Sequence, residues 1–156
     1  MLWVLFLSLM KSLSTYVLLA AMAALTVSCK KDSEPKPEPT KTDLLTAKSW
    51  RLTDIKVGGQ SFYAFLDACD KDDFIKFNAN KSATFDQGAV RCDQSEPQSA
   101  SGKWEFTTNE TKLKLTDPDG DVTEGNITTL SATSLVLSEP NAGGPGVAGE
   151  LTFTAR

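Results

Sequence analysis

The chain of 156 residues contains no histidine. That absence excludes Ser-His and Cys-His nucleophile systems, in which an imidazole takes the proton, and the imidazole ligands of most zinc sites. A carboxylate pair acting on glycosidic bonds needs no histidine, but the acids fall in expected loops or singly on strands, and no spacing singles out a pair. The sequence therefore reads as a non-enzyme with no cofactor and no metal. Clustered cations are missing too. Lys and Arg number 16 against 20 Asp and Glu, for a net charge of −4, and they are scattered singly among the acids. A phosphate-binding surface concentrates its cations, so nucleic acid is not an expected partner. No internal repeat of solenoid length is present.

Cysteine is scarce, and its three positions, Cys29, Cys69 and Cys92, sort by context. Cys29 stands where an apolar segment rich in Leu and Ala, from Ser12 to Val27, gives way to charge and proline. The segment ends Leu25-Thr26-Val27-Ser28-Cys29, a lipobox-like ending with a small residue ahead of the cysteine. A secretory signal needs a positive start, an apolar stretch and a small residue at the cut. Met10-Lys11 supplies that start, so translation is expected to begin at Met10 and residues 1–28 to be removed as a lipoprotein signal peptide. The competing reading is an uncleaved membrane helix, for which the segment is short. Cleavage frees the Cys29 thiol for diacylation and its amine for a third chain, and two or more acyl chains make a stable anchor. The expected partner is thus a membrane, reached through lipid.

Residues 30–41, Lys-Lys-Asp-Ser-Glu-Pro-Lys-Pro-Glu-Pro-Thr-Lys, hold no apolar side chain larger than proline. Alternating prolines fix φ and remove backbone donors, predicting an extended, semi-rigid tether over 29–41. Removing residues 1–28 takes away only Lys11 among the charged groups, leaving 15 basic against 20 acidic residues and a net charge of −5. What remains, 42–156, is long enough for one domain with one core. Cys69 and Cys92 fall inside it. In an oxidising envelope such a pair is normally a disulfide, and closing a loop of this length stabilises a fold by roughly 3 to 4 kcal/mol in the chain-entropy model. A metal or redox pair is the weaker reading, because the spacing is not Cys-x-x-Cys and no histidine completes a zinc site.

From Trp50 onward, short alternating runs separated by Gly, Asn, Asp and Pro predict β-structure. Ahead of them, residues 42–47 carry Thr and Asp as candidate caps, predicting one helical turn that closes an end of the fold. Trp50 and Leu52 share one face while Ile55 and Val57 share the other, which predicts a bulge near Thr53 and Asp54. Gly58-Gly59 turns the chain, and Phe62, Tyr63, Phe65 and Leu66 lie in a connection able to form another helical turn. Asn78-Ala79-Asn80-Lys81 predicts a hairpin loop in which Asn takes the left-handed conformation. Residues 87–101 read as a polar loop stapled back to Cys69. Strands follow over 103–106, 112–115, 122–129, 135–138 and 150–155, with turns at Asn109-Glu110 and Asp117-Pro118-Asp119-Gly120-Asp121 and a last long loop over 141–146. Regular hairpins favour an antiparallel up-and-down meander, and about eight strands with one helical turn fit an all-β barrel.

Two acidic groups bear on calcium, which wants six to eight oxygen ligands. Asp117, Asp119 and Asp121 lack the EF-hand order, since Gly120 follows Asp119 directly and Thr128 stands where the closing Glu belongs. They read as a turn. Asp67, Asp70, Asp72 and Asp73, around Cys69, are the better candidate of the two.

Leu44-Leu45-Thr46-Ala47-Lys48-Ser49-Trp50-Arg51-Leu52 resembles the opening of the lipocalin-like domains of Bacteroidetes lipoproteins, where a short helix leads to a Trp on the first strand. Cys69-Asp70-Lys71-Asp72-Asp73-Phe74-Ile75-Lys76-Phe77, then Cys92-Asp93, then Gly102-Lys103-Trp104 resemble the rest of the pattern in order and spacing. The sequence departs from it at Lys48, where lipocalins usually place Gly. Lys30, Lys31, Asp32 and Glu34, close behind the lipidated cysteine, are similar to the export tag of Bacteroidetes surface lipoproteins. The resemblance implies a lipocalin-like barrel, a place in the outer membrane or on the cell surface, and a small apolar ligand; it implies no enzyme and names no protein partner.

The candidate ligand-binding residues are Trp50, Phe62, Tyr63, Phe65, Phe77, Phe85, Trp104 and Phe106, with Phe153 as a further ring able to line the interior. An eight-stranded barrel is either filled by its own side chains or holds one small ligand. A domain this short needs its rings as core, which favours filling. Any cavity is expected to open near Phe62, Tyr63 and Phe65. The reading reached is an envelope-anchored lipoprotein whose barrel binds a small apolar ligand; the alternative is a structural or protein-interaction module with a filled core. An apolar pocket of roughly 300 Å³ or more favours the first.

Overall fold

A computed structural model describes residues 37–156. The expected signal peptide, Cys29 and the expected tether up to Pro35-Lys36 lie outside the described residues. Helix α1 (Lys41–Ala47) starts at the last residue of the expected tether, because Thr40 is its cap: the Thr40 hydroxyl accepts from the Asp43 N–H at 3.1 Å, and the Asp43 carboxylate accepts from the Thr40 N–H at 2.9 Å. This reciprocal box satisfies two otherwise orphaned donors. The Thr40 hydroxyl and then its backbone N–H hold the Asp43 carboxyl below its ordinary range. The helix ends at Lys48, whose φ is −127°. Extended backbone needs no glycine there, which accounts for Lys48 at the position where lipocalins usually carry one.

The strands are β1 (Ser49–Val57), β2 (Gln60–Ser61), β3 (Phe74–Phe77), β4 (Ser82–Asp86), β5 (Ser99–Thr107), β6 (Lys112–Thr116), β7 (Val122–Leu130), β8 (Ser134–Glu139) and β9 (Gly149–Ala155). Every pairing is antiparallel, and β9 returns to pair with β1 along nearly its whole length. Eight strands, β1 and β3 to β9, therefore close an up-and-down barrel, and β2 extends the β1 edge beyond the end of β3. Closure removes the exposed sheet edges that would otherwise pair with other chains.

The predicted bulge falls at Thr53, where two residues of β1 oppose Thr152 of β9. Its effect differs from the simple alternation. Leu52 pairs with Phe153, Ile55 with Leu151 and Val57 with Gly149, so the extra residue returns Ile55 and Val57 to the interior face that Trp50 and Leu52 occupy. Gly58 and Gly59, with φ of 57° and 82°, form the two-residue turn into β2 that positive φ makes possible.

Two expectations need correction. In the 78–81 hairpin the left-handed residue is Lys81, at φ 68°, not an asparagine. Asn78 and Asn80 instead use their side chains on Ser82, and Lys81 places its ammonium 3.8 Å from the centre of the Trp104 ring, a cation–π contact that offsets backbone strain. Strand β5 begins at Ser99, inside the stretch read as loop. Its first inward residues are Ala100 and Gly102, too small to give a hydrophobic alternation.

Leu45, Trp50, Phe77, Ala83, Trp104, Leu113 and Leu135 form the buried core. Leu45 lies on α1, and strand register puts the other six toward the same end of the barrel, which α1 plugs. The Trp50 indole donates to the Leu45 carbonyl at 2.8 Å, and Lys76 reaches the Thr46 carbonyl at 2.6 Å. Phe77, Trp104 and Phe106 stack edge to face at 5.8 and 5.3 Å. Outside, Lys56–Glu150, Lys112–Glu124 and Lys114–Glu105 pair across neighbouring strands. Residues 38–156 form one compact unit with plug, closed sheet and both remaining cysteines internal to it, so the segment carries everything its own folding needs.

Candidate functional site: a cavity at the open end of the barrel

Away from the plugged end the interior is not filled. Trp50 faces Ile75 across the β1–β3 pair, Ile75 faces Phe85, Phe85 faces Ala100, and on the other side Leu52 faces Phe153. These side chains line one continuous apolar patch over five neighbouring strands, and they bound a cavity of about 600 Å³. That volume lies in the range of roughly 300 to 1,000 Å³ typical of small-molecule sites. Gly102 shapes it. A Cβ at Gly102 would collide with the Thr116 carbonyl and the Phe85 ring, so the absent side chain is the space in which Phe85 lies.

The mouth is built from a short helix, α2 (Ala68–Asp72), the 87–98 loop and the β6–β7 turn at Pro118-Asp119. A disulfide joins Cys69 on α2 to Cys92 on the loop. Asp72 ties the same pieces: its carboxylate accepts from the backbone N–H groups of Ala89 and Val90 and pairs with Arg51 at 2.9 Å. The Ala89 and Val90 N–H groups first, and the Arg51 charge after them, lower its pKa. Asp73 goes the other way. Partial burial and the charges of Asp70, Asp72 and Asp86 raise its pKa.

Neither acidic group is arranged as a cation cage. Asp70 accepts from the Asp67 N–H at 3.3 Å at the start of α2, Asp72 holds the loop, and Asp117 accepts from the N–H groups of Asp119 and Asp121 at 3.0 and 2.8 Å, closing its turn. Cys69, Asp70 and Cys92 lie close together, but both sulfurs are spent in the disulfide.

Residues 46–137 match the model of the lipocalin-like domain family. The chain belongs to this family. No curated protein matches it. The match runs from the end of the plug helix into β8, and the lipocalin-like barrel is completed by β9, which carries the cavity residue Phe153.

The lipocalin-like fold divides the eight candidate ligand residues into three sets. Trp50 and Phe85 line the cavity. Phe77, Trp104 and Phe106 pack with one another in and against the core. Phe62, Tyr63 and Phe65 lie outside the lining, on a surface connection with a 3₁₀ turn at Tyr63–Phe65; Phe65 is 81 % exposed. All three stand beside the opening on the connection from β2 to α2, where Tyr63 packs against Lys71, and none of the three lines the cavity. Leu52, Ile75 and Ala100 were not expected in the site. Alternation in β1 and β3 placed Leu52 and Ile75 inside, but only register shows that they face an unfilled part of the barrel.

Proposed function

We propose that this chain is a lipid-anchored envelope protein whose lipocalin-like barrel binds one small apolar molecule. Removal of residues 1–28, acylation at Cys29, a proline-spaced tether and an outer-membrane or surface position make up the anchoring half of the reading, supported by the lipobox-like ending and the Lys-Lys-Asp-Ser-Glu sequence that follows the cysteine. The binding half rests on the apolar cavity of about 600 Å³. The lipocalin fold is a binding and transport scaffold rather than a catalytic one, in keeping with the missing imidazole.

Titration of residues 38–156 with the neutral fluorophore N-phenyl-1-naphthylamine tests the binding half. A saturable emission increase at one site per chain, abolished by Ala100→Phe, is expected; no saturable increase, or binding unaffected by that cavity-filling change, overturns it. Metabolic labelling with an alkyne fatty acid tests the anchor, since Cys29→Ala is expected to remove all label, and retained label refutes acylation there. A filled, plugged half of the barrel and the exposed rings of Phe62 and Phe65, 6.1 Å apart, favour a second reading, a protein-contact module.

A further inference from the structure

The charge around the cavity is of one sign. Its charged lining residues are Asp70, Asp73, Asp86, Glu96 and Asp119, with no Lys or Arg among them. Elsewhere on the barrel carboxylates find cations: Glu105, Glu124, Glu150, Asp54 and Asp72 are all ion-paired. Among the described residues no ion pair engages any of the five at the cavity.

Among the described residues, no cation of the neighbouring segments comes within ion-pair distance of these five carboxylates. Arg51 faces Asp72, Lys71 lies over the Tyr63 ring and donates to the Ala64 carbonyl, Arg91 donates to the Asp93 and Gln94 carbonyls, and Arg156 stacks on Phe74. Asp86 and Glu96 accept hydrogen bonds from neutral amides, Gln98 and Gln87, which leave their charge in place. Below this rim the surface is apolar and aromatic, and ring faces attract cations as well.

Resting on the reading that the cavity binds a small molecule, we propose that its ligand is an amphipathic cation: an apolar body seated against Trp50, Leu52, Phe85 and Phe153, with an ammonium group held at the acidic mouth. An uncompensated set of like charges around a low-dielectric recess focuses a negative potential there. An anionic ligand, such as a fatty acid, meets repulsion at the opening; a cation removes it. Asp73 has its pKa raised by burial first and by the charges of Asp70, Asp72 and Asp86 after it.

Three probes with the same decyl chain separate the contributions: decyltrimethylammonium, decanol and decanoate, each displacing N-phenyl-1-naphthylamine from residues 38–156 at neutral pH. The ammonium is expected to bind about tenfold more tightly than decanol, and decanoate more weakly than either, since each partly screened charge contributes modestly and several act together. Raising salt to about 0.5 M is expected to narrow the gap. Asp73→Asn combined with Asp119→Asn is expected to bring the ratio of ammonium to decanol affinity close to one. If decanol binds and the ammonium binds no more tightly than decanoate, the charge inference is overturned and the apolar cavity stands. If none of the three displaces the fluorophore, the cavity reading falls and takes this inference with it.

Discussion

Cutting the Cys69–Cys92 bridge gives a stability loss that can be worked out beforehand. The bridge spans a sequence separation of 23, for which the chain-entropy relation gives about 3 kcal/mol. That value applies in full only if the native loop stays in place once the bridge is gone, because a loop that also loosens in the folded state recovers part of the entropy. Other ties hold it. The Ala89 and Val90 N–H groups stay bound to Asp72, Gln87 and Gln98 close the base of the loop through their main chains at 3.1 Å, and the Gln98 side chain bonds the Gly88 carbonyl at 2.8 Å. The double variant Cys69→Ser, Cys92→Ser in residues 38–156 is therefore expected to lose close to the whole amount. With a urea m-value of roughly 2 kcal/mol/M, the midpoint should fall by about 1.5 M or more, since the unbridged unfolded chain exposes more surface and raises m. A loss below about 1 kcal/mol refutes the reasoning, since it means the loop is held by the sulfur bridge alone.

Trp50→Phe removes the donor to the Leu45 carbonyl and leaves a gap at the plug, so a loss of about 2 to 3 kcal/mol is expected in urea unfolding; a loss under about 0.5 kcal/mol would show that α1 is not held through Trp50. Gly102→Ala forces a methyl against the Thr116 carbonyl and the Phe85 ring, with an expected cost of about 1 to 3 kcal/mol and weaker N-phenyl-1-naphthylamine binding; a neutral effect on both contradicts the close approach. The two neighbouring aspartates should show opposite pH behaviour. Asp72, with its pKa lowered in the fold, contributes stability above the ordinary carboxylate range that is lost as pH falls through its folded value, so the deficit of Asp72→Asn against the parent should shrink between neutral pH and about pH 3. Asp73, with its pKa raised, costs stability while charged and ceases to do so as pH falls through its folded value, so Asp73→Asn should be neutral or stabilising at pH 7. The reverse order of the two variants in urea midpoints would refute both assignments.

Much of the barrel was legible because its signals are local. Lys103-Trp104-Glu105-Phe106 and Lys112-Leu113-Lys114-Leu115 alternate without interruption, and each forms part of a strand with the apolar residues inward. The start of β5 was hidden because Ser99, Ala100, Ser101 and Gly102 carry no apolar contrast; what makes them a strand is the β4 partner, a tertiary effect. The start of α1 was misplaced because Thr40 sits at the end of a proline-spaced run, and its role depends on the Asp43 carboxylate reaching back. The site was least legible. Nothing in the spacing of Trp50, Phe77, Phe85 and Trp104 tells which rings pack with one another and which border empty space, since that depends on the volume left after α1 fills one end. Phe85 differs from Phe77 only in lying nearer the unplugged end of the β3–β4 hairpin.

The seam between the first and last strands sets the order of events when this chain folds. Trp50 pairs with Ala155, and the Arg156 N–H donates to the Ser49 carbonyl at 2.8 Å, so β1 waits for β9 before one of its two long edges is satisfied. Contacts this distant along the chain make folding comparatively slow. Until β9 docks, the sheet stays open, with β1 and β8 as raw edges. Docking of β9 between β8 and β1 is thus the step that turns an open sheet into a closed barrel wall.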